Sequence, residues 1–256
     1  MIVCKKCGNA DVYTGAPCSS CGEKFALTEA DVRNKQRELD IAIAERHYED
    51  MLECYHLLAD IGITEAEKEY AKILEKGQLT ERNLDLAMKY FYKAAEKNDA
   101  YSAFRYSRLV SRENDAAARF WLFFSAVLGC IEAYPVAADE FSSLGYEEDA
   151  TYFYYLAAIS NDVDSIVTLA KRYMDGVGAP KSDGYAKWHM DKLRLPPFHA
   201  IKAAYKLRHA VSEEPPTPKP RDWDGLLRML AFQAKRESYA SAYLMFEDVL
   251  EIVRRL

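Results

Sequence analysis

Glycine and proline are scarce in this chain of 256 residues, at 11 and 9, and both are clustered. Between the clusters run long stretches rich in Ala, Leu, Glu, Lys and Arg with no breaker, which favour helix. No apolar run approaches the roughly 18 residues of a membrane-spanning helix, so no membrane span is expected. The start, MIVCKKCG, lacks the basic-then-apolar pattern of a signal peptide, so the expected compartment is a reducing cytoplasm. Catalytic signatures are missing too: there is no G-x-S-x-G elbow, no P-loop, no G-x-G-x-x-G and no H-E-x-x-H. Gly176-Val177-Gly178 reads as a loop between helices, because no strand precedes it. No enzyme is expected. The composition, 50% hydrophobic and 29% charged, is that of a globular chain rather than a disordered one.

Positive charge is in short supply overall, with a formal net charge of −6. That argues against a surface built throughout to track a phosphate backbone. The charge is uneven, however. Between Lys181 and Ala210 seven Lys or Arg face only Asp183 and Asp191, with His189, His199 and His209 among them. A solvated helical face explains this stretch; an anionic partner surface is the rival reading.

Cysteine is sparse after residue 21, where only Cys54 and Cys130 remain, both in helical patterns and expected as small core residues. The other four form two knuckles. Cys4 and Cys7 are followed by Gly8, and Cys18 and Cys21 by Gly22. Two residues between thiolates let one tight turn offer both sulfurs to one ion, and the glycine permits the positive φ such a turn needs. Two such turns complete a tetrahedral S4 set, the preference of structural zinc. Zinc is expected over iron because no redox partner site is evident. The stretch resembles the zinc-ribbon modules at the N-termini of many bacterial proteins, over residues 1 to about 25. A module of this size cannot bury an adequate core, so metal binding has to supply most of its folding energy. Four thiolates close the shell, which leaves no open position for catalysis. A ribbon of this type can read nucleic acid, but Lys5, Lys6, Lys24 and Tyr13 are set against Asp11 and Glu23, and one aromatic makes no stacking platform.

The body of the chain is helical by periodicity. Thr28 with Asp31 looks like an N-terminal capping pair, and Thr64 with Glu67 like a capping box. Ala66, Tyr70, Ala71, Ile73 and Leu74 recur at helical spacing and stop at Gly77. A second helix is expected over about 83–97, with Leu86, Ala87, Tyr90, Phe91, Ala94 and Ala95 on one side. His47 and His56, with Glu49, Asp50 and Glu53 nearby, read as solvated or half-buried histidines rather than a second metal site.

These helices repeat. KYFYKAAEKNDAYSAFRYS (89–107) matches RFWLFFSAVLGCIEAYPVA (119–137), TYFYYLAAISNDVDSIVTL (151–169), YAKWHMDKLRLPPFHAIKA (185–203) and, backward, ECYHLLADIGITEAEKEYA (53–71). Phe91, Trp121, Phe153 and Trp188 supply an aromatic near each second helix. Ala66, Ala103, Ala133, Ser165 and Ala200 supply a small residue in the next. No unit can bury its apolar face alone, so neighbours must stack. The clearest unit, LAKRYMDGVGAPKSDGYAKWHMDKL (169–193), resembles the Sel1-like branch of the tetratricopeptide-type repeats, and 71–107 is nearly as good. SRENDAAARFW lacks the glycine loop, so a short first helix or an unusual turn is expected there. The resemblance, over about 45–205, implies an α-solenoid whose concave face binds a protein or peptide.

SEEPPTPKPRD (212–222) ends the helical pattern, because its prolines impose extended, polyproline-like backbone. It reads as a linker or as a strap between helices, with a proline-motif ligand as the lesser alternative. Beyond it, 223–256 regains helical periodicity and is expected as a helix pair that caps the solenoid or forms a homo-oligomer contact. The whole is therefore mainly α: a zinc ribbon at 1–25 holding one ion through Cys4, Cys7, Cys18 and Cys21, a connecting helix at 26–44, Sel1-like repeats at 45–211, the proline-rich segment and the C-terminal pair. The function expected is a cytoplasmic, bacterial, non-enzymatic adaptor for a protein partner. Its rival is a nucleic-acid-associated factor using the ribbon and the basic stretch 181–210, with Lys187, Lys192, Lys202 and Lys206.

Overall fold

The computed structural model describes residues 29–112, 114–194 and 197–218. Among them are eleven α-helices, two short 3-10 turns and no strand. They fall into two compact units that divide between Leu109 and Val110.

The first unit holds α1 (Glu29–Glu45), α2 (Tyr48–Asp60), α3 (Thr64–Lys76), α4 (Leu84–Ala95) and α5 (Ala100–Val110), whose last residue lies across the division. Each of the first three packs on the next in chain order. α3 and α4 bury the stripes that their periodicity marks: Ala66, Tyr70, Ala71, Ile73 and Leu74 on one, Ala87, Tyr90, Phe91, Ala94 and Ala95 on the other, with Leu86 only half-buried. α5 joins through rings and charge. Tyr106 lies 5.1 Å from Tyr92 between centroids, and Arg105 pairs with Glu75 through both its Nε and Nη2.

The second unit holds α6 (Asp115–Val127), α7 (Ala133–Ser143), α8 (Glu147–Ile159), α9 (Val163–Asp175), α10 (Asp183–Asp191) and the short α11 (Ile201–Lys206). Phe141 is sandwiched between Phe123 (4.2 Å) and Phe153 (5.3 Å), so α6, α7 and α8 share one aromatic stack. Cys54 in the first unit and Cys130 in the second are buried, as small core residues should be.

The small-residue series is buried throughout: Ala66, Ala103, Ala133, Ser165 and Ala200. The aromatic series needs correcting. The fully buried alanines Ala87, Ala117, Ala150 and Ala186 fix the register of the second helices. Tyr90, Phe120, Phe153 and His189 follow three positions on; Phe91, Trp121, Tyr154 and Met190 follow four on. Phe153 thus belongs to a different position from Phe91 and Trp121, and Trp188 to neither. Trp188 is half-buried, and it is His189 that occupies the core. Matching ring to ring hid a one-residue slip that the smaller alanines expose.

The capping box at Thr64 is also overturned. The N-cap is Ile63, with no side-chain cap. Thr64 already lies inside the helix, so Glu67 stands one position beyond the N3 place from which a capping box reaches back. Its carboxylate goes instead to Lys97, 2.7 Å away. The pair lacking a glycine loop has a full-length first helix in α5, and its turn is short: Asn114 N–H donates to the Val110 carbonyl (2.9 Å) and its side chain caps α6 through Ala117 N–H (2.8 Å). Thr28, of the other expected capping pair, lies outside the described residues.

Candidate functional site: the α9–α10 pair and its strap

The two glycine-loop pairs are built alike, at a constant interval of 99 residues. Gly77 closes α3 at φ +67° and Gly176 closes α9 at φ +73°, a left-handed conformation that costs other residues strain. After each loop the chain returns to the same place. Asn83 N–H donates to the Leu74 carbonyl (3.0 Å), and Ser182 N–H to the Tyr173 carbonyl (2.9 Å). Asn83 and Ser182 then cap the following helices through Leu86 and Tyr185 N–H.

In the second of these pairs the loop is pinned to α8. Arg172, buried on α9, donates from Nε to Thr151 Oγ1 (2.9 Å) and from Nη2 to the Glu147 carbonyl (2.7 Å) and carboxylate (2.5 Å). The guanidinium holds the Glu147 carboxyl below its ordinary value, and Ser142 Oγ adds a second donor at 3.0 Å. Gly178 rests on this cradle so closely that a Cβ there would fall 2.0 Å from the Glu147 carbonyl oxygen.

Behind the loop, Tyr173 meets Tyr185 edge-to-face (5.6 Å, 83°) and stacks on His189 (5.6 Å, 9°). Burial pushes the Tyr173 hydroxyl up to about 12. Burial, with the Lys192 ammonium second, pushes the His189 imidazole down to about 4. Neither His189 nitrogen has a hydrogen-bond partner among the described residues, so the ring is neutral and held as a hydrophobic plate.

The proline-rich segment lies against this pair. Residues 211–218 are neither helix nor strand. Glu213 N–H donates to the Gly184 carbonyl (3.2 Å), and Pro215 is buried. A Cβ on Gly184 would fall 2.9 Å from the Val211 carbonyl oxygen and 3.2 Å from Glu213 Cβ. Glycine at that point lets two backbones touch. The charge of Glu214 acts on Lys192, whose Nζ sits 3.6 Å over the Trp188 ring. Between strap and repeat remains a cavity of about 520 Å³, walled by Thr151, Tyr173, Gly178 and Tyr185 on one side and Pro216 and Pro218 on the other.

Cys4, Cys7, Cys18 and Cys21 lie outside the described residues, as does 223–256. Among the described residues no group of three His, Cys, Asp or Glu is placed to hold a metal. His47 is exposed and lies 3.6 Å from both Glu45 and Asp50; His56 lies 3.3 Å from Asp60 and stacks on Tyr70. Of the four basic-stretch lysines, Lys187 pairs with Asp191 (2.8 Å) and Lys192 covers Trp188. No described helix is long and apolar enough to cross a membrane. Among the described tyrosines, Tyr70, Tyr90, Tyr106, Tyr154 and Tyr173 are core and Tyr48, Tyr146 and Tyr205 are exposed, the rest being half-buried. The Arg172 cradle and the Gly184 contact went unread in the sequence. A glycine two residues after a helix cap, where helix formation gains nothing from it, was the available signal.

A helix pair with a left-handed glycine cap, a loop returning to the first helix, and a capped second helix, recurring in stacked company, decides the architecture. The fold is that of the Sel1-like repeats. Two solved structures share it. A Sel1 repeat protein from Oxalobacter formigenes matches with a TM-score of 0.57 and 20% identity over 62% of this chain and 49% of that one. The protein c5321, a protective antigen of uropathogenic Escherichia coli with an SLR fold, matches with a TM-score of 0.59 and 17% identity over 88% of this chain and 53% of that one. The matches thus span about half the length of each. No protein-family model matches the chain, nor does any curated protein.

Proposed function

We propose that the chain is a non-enzymatic adaptor that binds a protein or peptide partner on its Sel1-like repeats, with a structural zinc held by Cys4, Cys7, Cys18 and Cys21 near its N-terminus. The observation that carries the proposal is the α9–α10 surface, which already holds an extended segment of chain against an aromatic-walled cavity. Stacked helix pairs offer such surfaces repeatedly and need no reacting group to do so. Association of this kind rests on buried aromatic anchors and backbone hydrogen bonds. The zinc reading rests on the spacing of the four cysteines, and the cytoplasmic setting on their number and clustering. On the same reading the 223–256 segment is a cap or a homo-oligomer contact.

The test is affinity capture from the native cell with the full chain as bait, followed by titration of each purified candidate against it. Saturable one-to-one binding by calorimetry is the expected result. Substrate turnover by the purified chain, or capture that yields no partner binding directly, would overturn the adaptor reading.

A further inference from the structure

We propose that the α9–α10 pair is a recognition groove for extended peptides in which acidic residues precede prolines, and that Val211–Pro218 is its resident occupant in cis. The proposal rests on the adaptor reading and gives it a ligand class and a means of control. Four contacts define the groove, each reading a different property of the strap. The Gly184 carbonyl accepts from Glu213 N–H, a backbone bond blind to side chains. The missing Cβ at Gly184 admits the Val211 carbonyl and the Glu213 side chain. Lys192, held over Trp188, is the cation on which the charge of Glu214 acts, secondary to the burial that lowers its pKa. Tyr173 and Tyr185 face Pro216 and Pro218 across the cavity. Rigid rings opposite prolines are how polyproline-like segments are bound, because such a segment loses little entropy on docking.

The strap buries little of itself. Ser212, Glu213, Glu214, Pro216 and Thr217 are exposed, and only Pro215 is buried. Its hold therefore depends on tethering, which raises its effective concentration to about the millimolar range. A free segment of the same chemistry must compete with that. The chain is then self-masked, opening to a partner with a better-fitting acidic, proline-containing stretch or to one that pulls the strap away.

The probe is a fluorescent peptide with the sequence of residues 211–222, VSEEPPTPKPRD, titrated by polarisation against the full chain. A variant with 212–218 replaced by glycine and serine should bind it at least about tenfold more tightly than the parent does, because the tethered competitor is gone. Adding Gly184→Val to that variant should abolish binding, and the effect of Lys192→Glu should be the same in direction. Should the replacement fail to fold, Pro215→Gly in the intact chain carries the same readout with a smaller change. No binding at millimolar peptide by a folded variant, or binding indifferent to Gly184→Val, overturns the proposal. Partner capture by the unaltered chain is read separately, so loss of the groove and loss of the adaptor function remain distinguishable.

Discussion

Glu67 is buried on α3, and Nζ of Lys97, thirty residues later, sits 2.7 Å from its carboxylate while also donating to the Gly62 carbonyl at 2.7 Å. One ammonium thus ties together the turn before α3, α3 itself and the turn after α4. Lys97→Met leaves the buried carboxylate without its cation, at an expected cost of about 1–2 kcal/mol, less than for a fully buried pair because the ammonium itself is exposed. Glu67→Met with Lys97→Met should recover most of that loss, since no buried charge is then left unpaired. Native-state hydrogen exchange across α3 and α4 measures both. A single variant as stable as the parent would show that the pair is dispensable.

His189 occupies the place that Tyr90, Phe120 and Phe153 hold in the other second helices. His189→Phe should be at least as stable near neutral pH, because it removes two buried nitrogens that have no partner among the described residues. The same ring makes stability depend on pH. Its folded pKa is lowered to about 4, below the unfolded value of about 6.5. The unfolded chain therefore binds more protons between those values, and stability falls as pH drops below about 6.5. The expected loss from pH 7 to pH 5 is about 2 kcal/mol. Urea unfolding followed by Trp fluorescence at the two pH values should show it, and His189→Phe should remove it. An unchanged pH dependence in the variant would assign the effect to another group.

Gly178 and Gly145 both have positive φ, at +62° and +82°, but different surroundings. A Cβ at Gly145 meets nothing within 4 Å, whereas one at Gly178 collides with the Glu147 backbone. Gly145→Ala should cost about 1 kcal/mol, the backbone strain alone. Gly178→Ala should cost about 3 kcal/mol or more, as the loop lifts from the Arg172 cradle. Thermal unfolding of the two variants gives the comparison, and equal shifts would refute the close packing.

For the N-terminal cysteines, elemental analysis of the purified chain should find one zinc per chain. Cys4→Ser or Cys18→Ser should lower that content sharply, and chelation should leave the helical circular dichroism of the repeats nearly intact. Full chains free of both zinc and iron would sink the assignment.

Much of the fold could be read from residues alone, because stacked pairs repeat one period of small and apolar positions. The α4 stripe matches its sequence reading at every position but Leu86, which is only half-buried, and Gly77 ends α3 where expected. What escaped was what side chains do across elements. Glu67 three residues after Thr64 has the spacing of a capping box, and only the position of Ile63 and the reach of Lys97 show otherwise. Trp188 outranks His189 in hydrophobic size, yet Ala186 sets the register that turns the histidine inward. The strap's composition was plain, but its docking depends on Gly184, whose importance lies in what it lacks.

The two buried thiols lend themselves to a different use. Burial raises Cys130 to about 12 and lifts Cys54 above its ordinary value, so neither is a ready nucleophile at neutral pH. Each compact unit carries one of them. In a thiol-alkylation time course Cys54 should stay unlabelled until α2 opens and Cys130 until the connection between α6 and α7 opens, and peptide mass mapping would then time the two openings independently. The chain thus comes with a built-in stopwatch in each half, readable without adding a single probe.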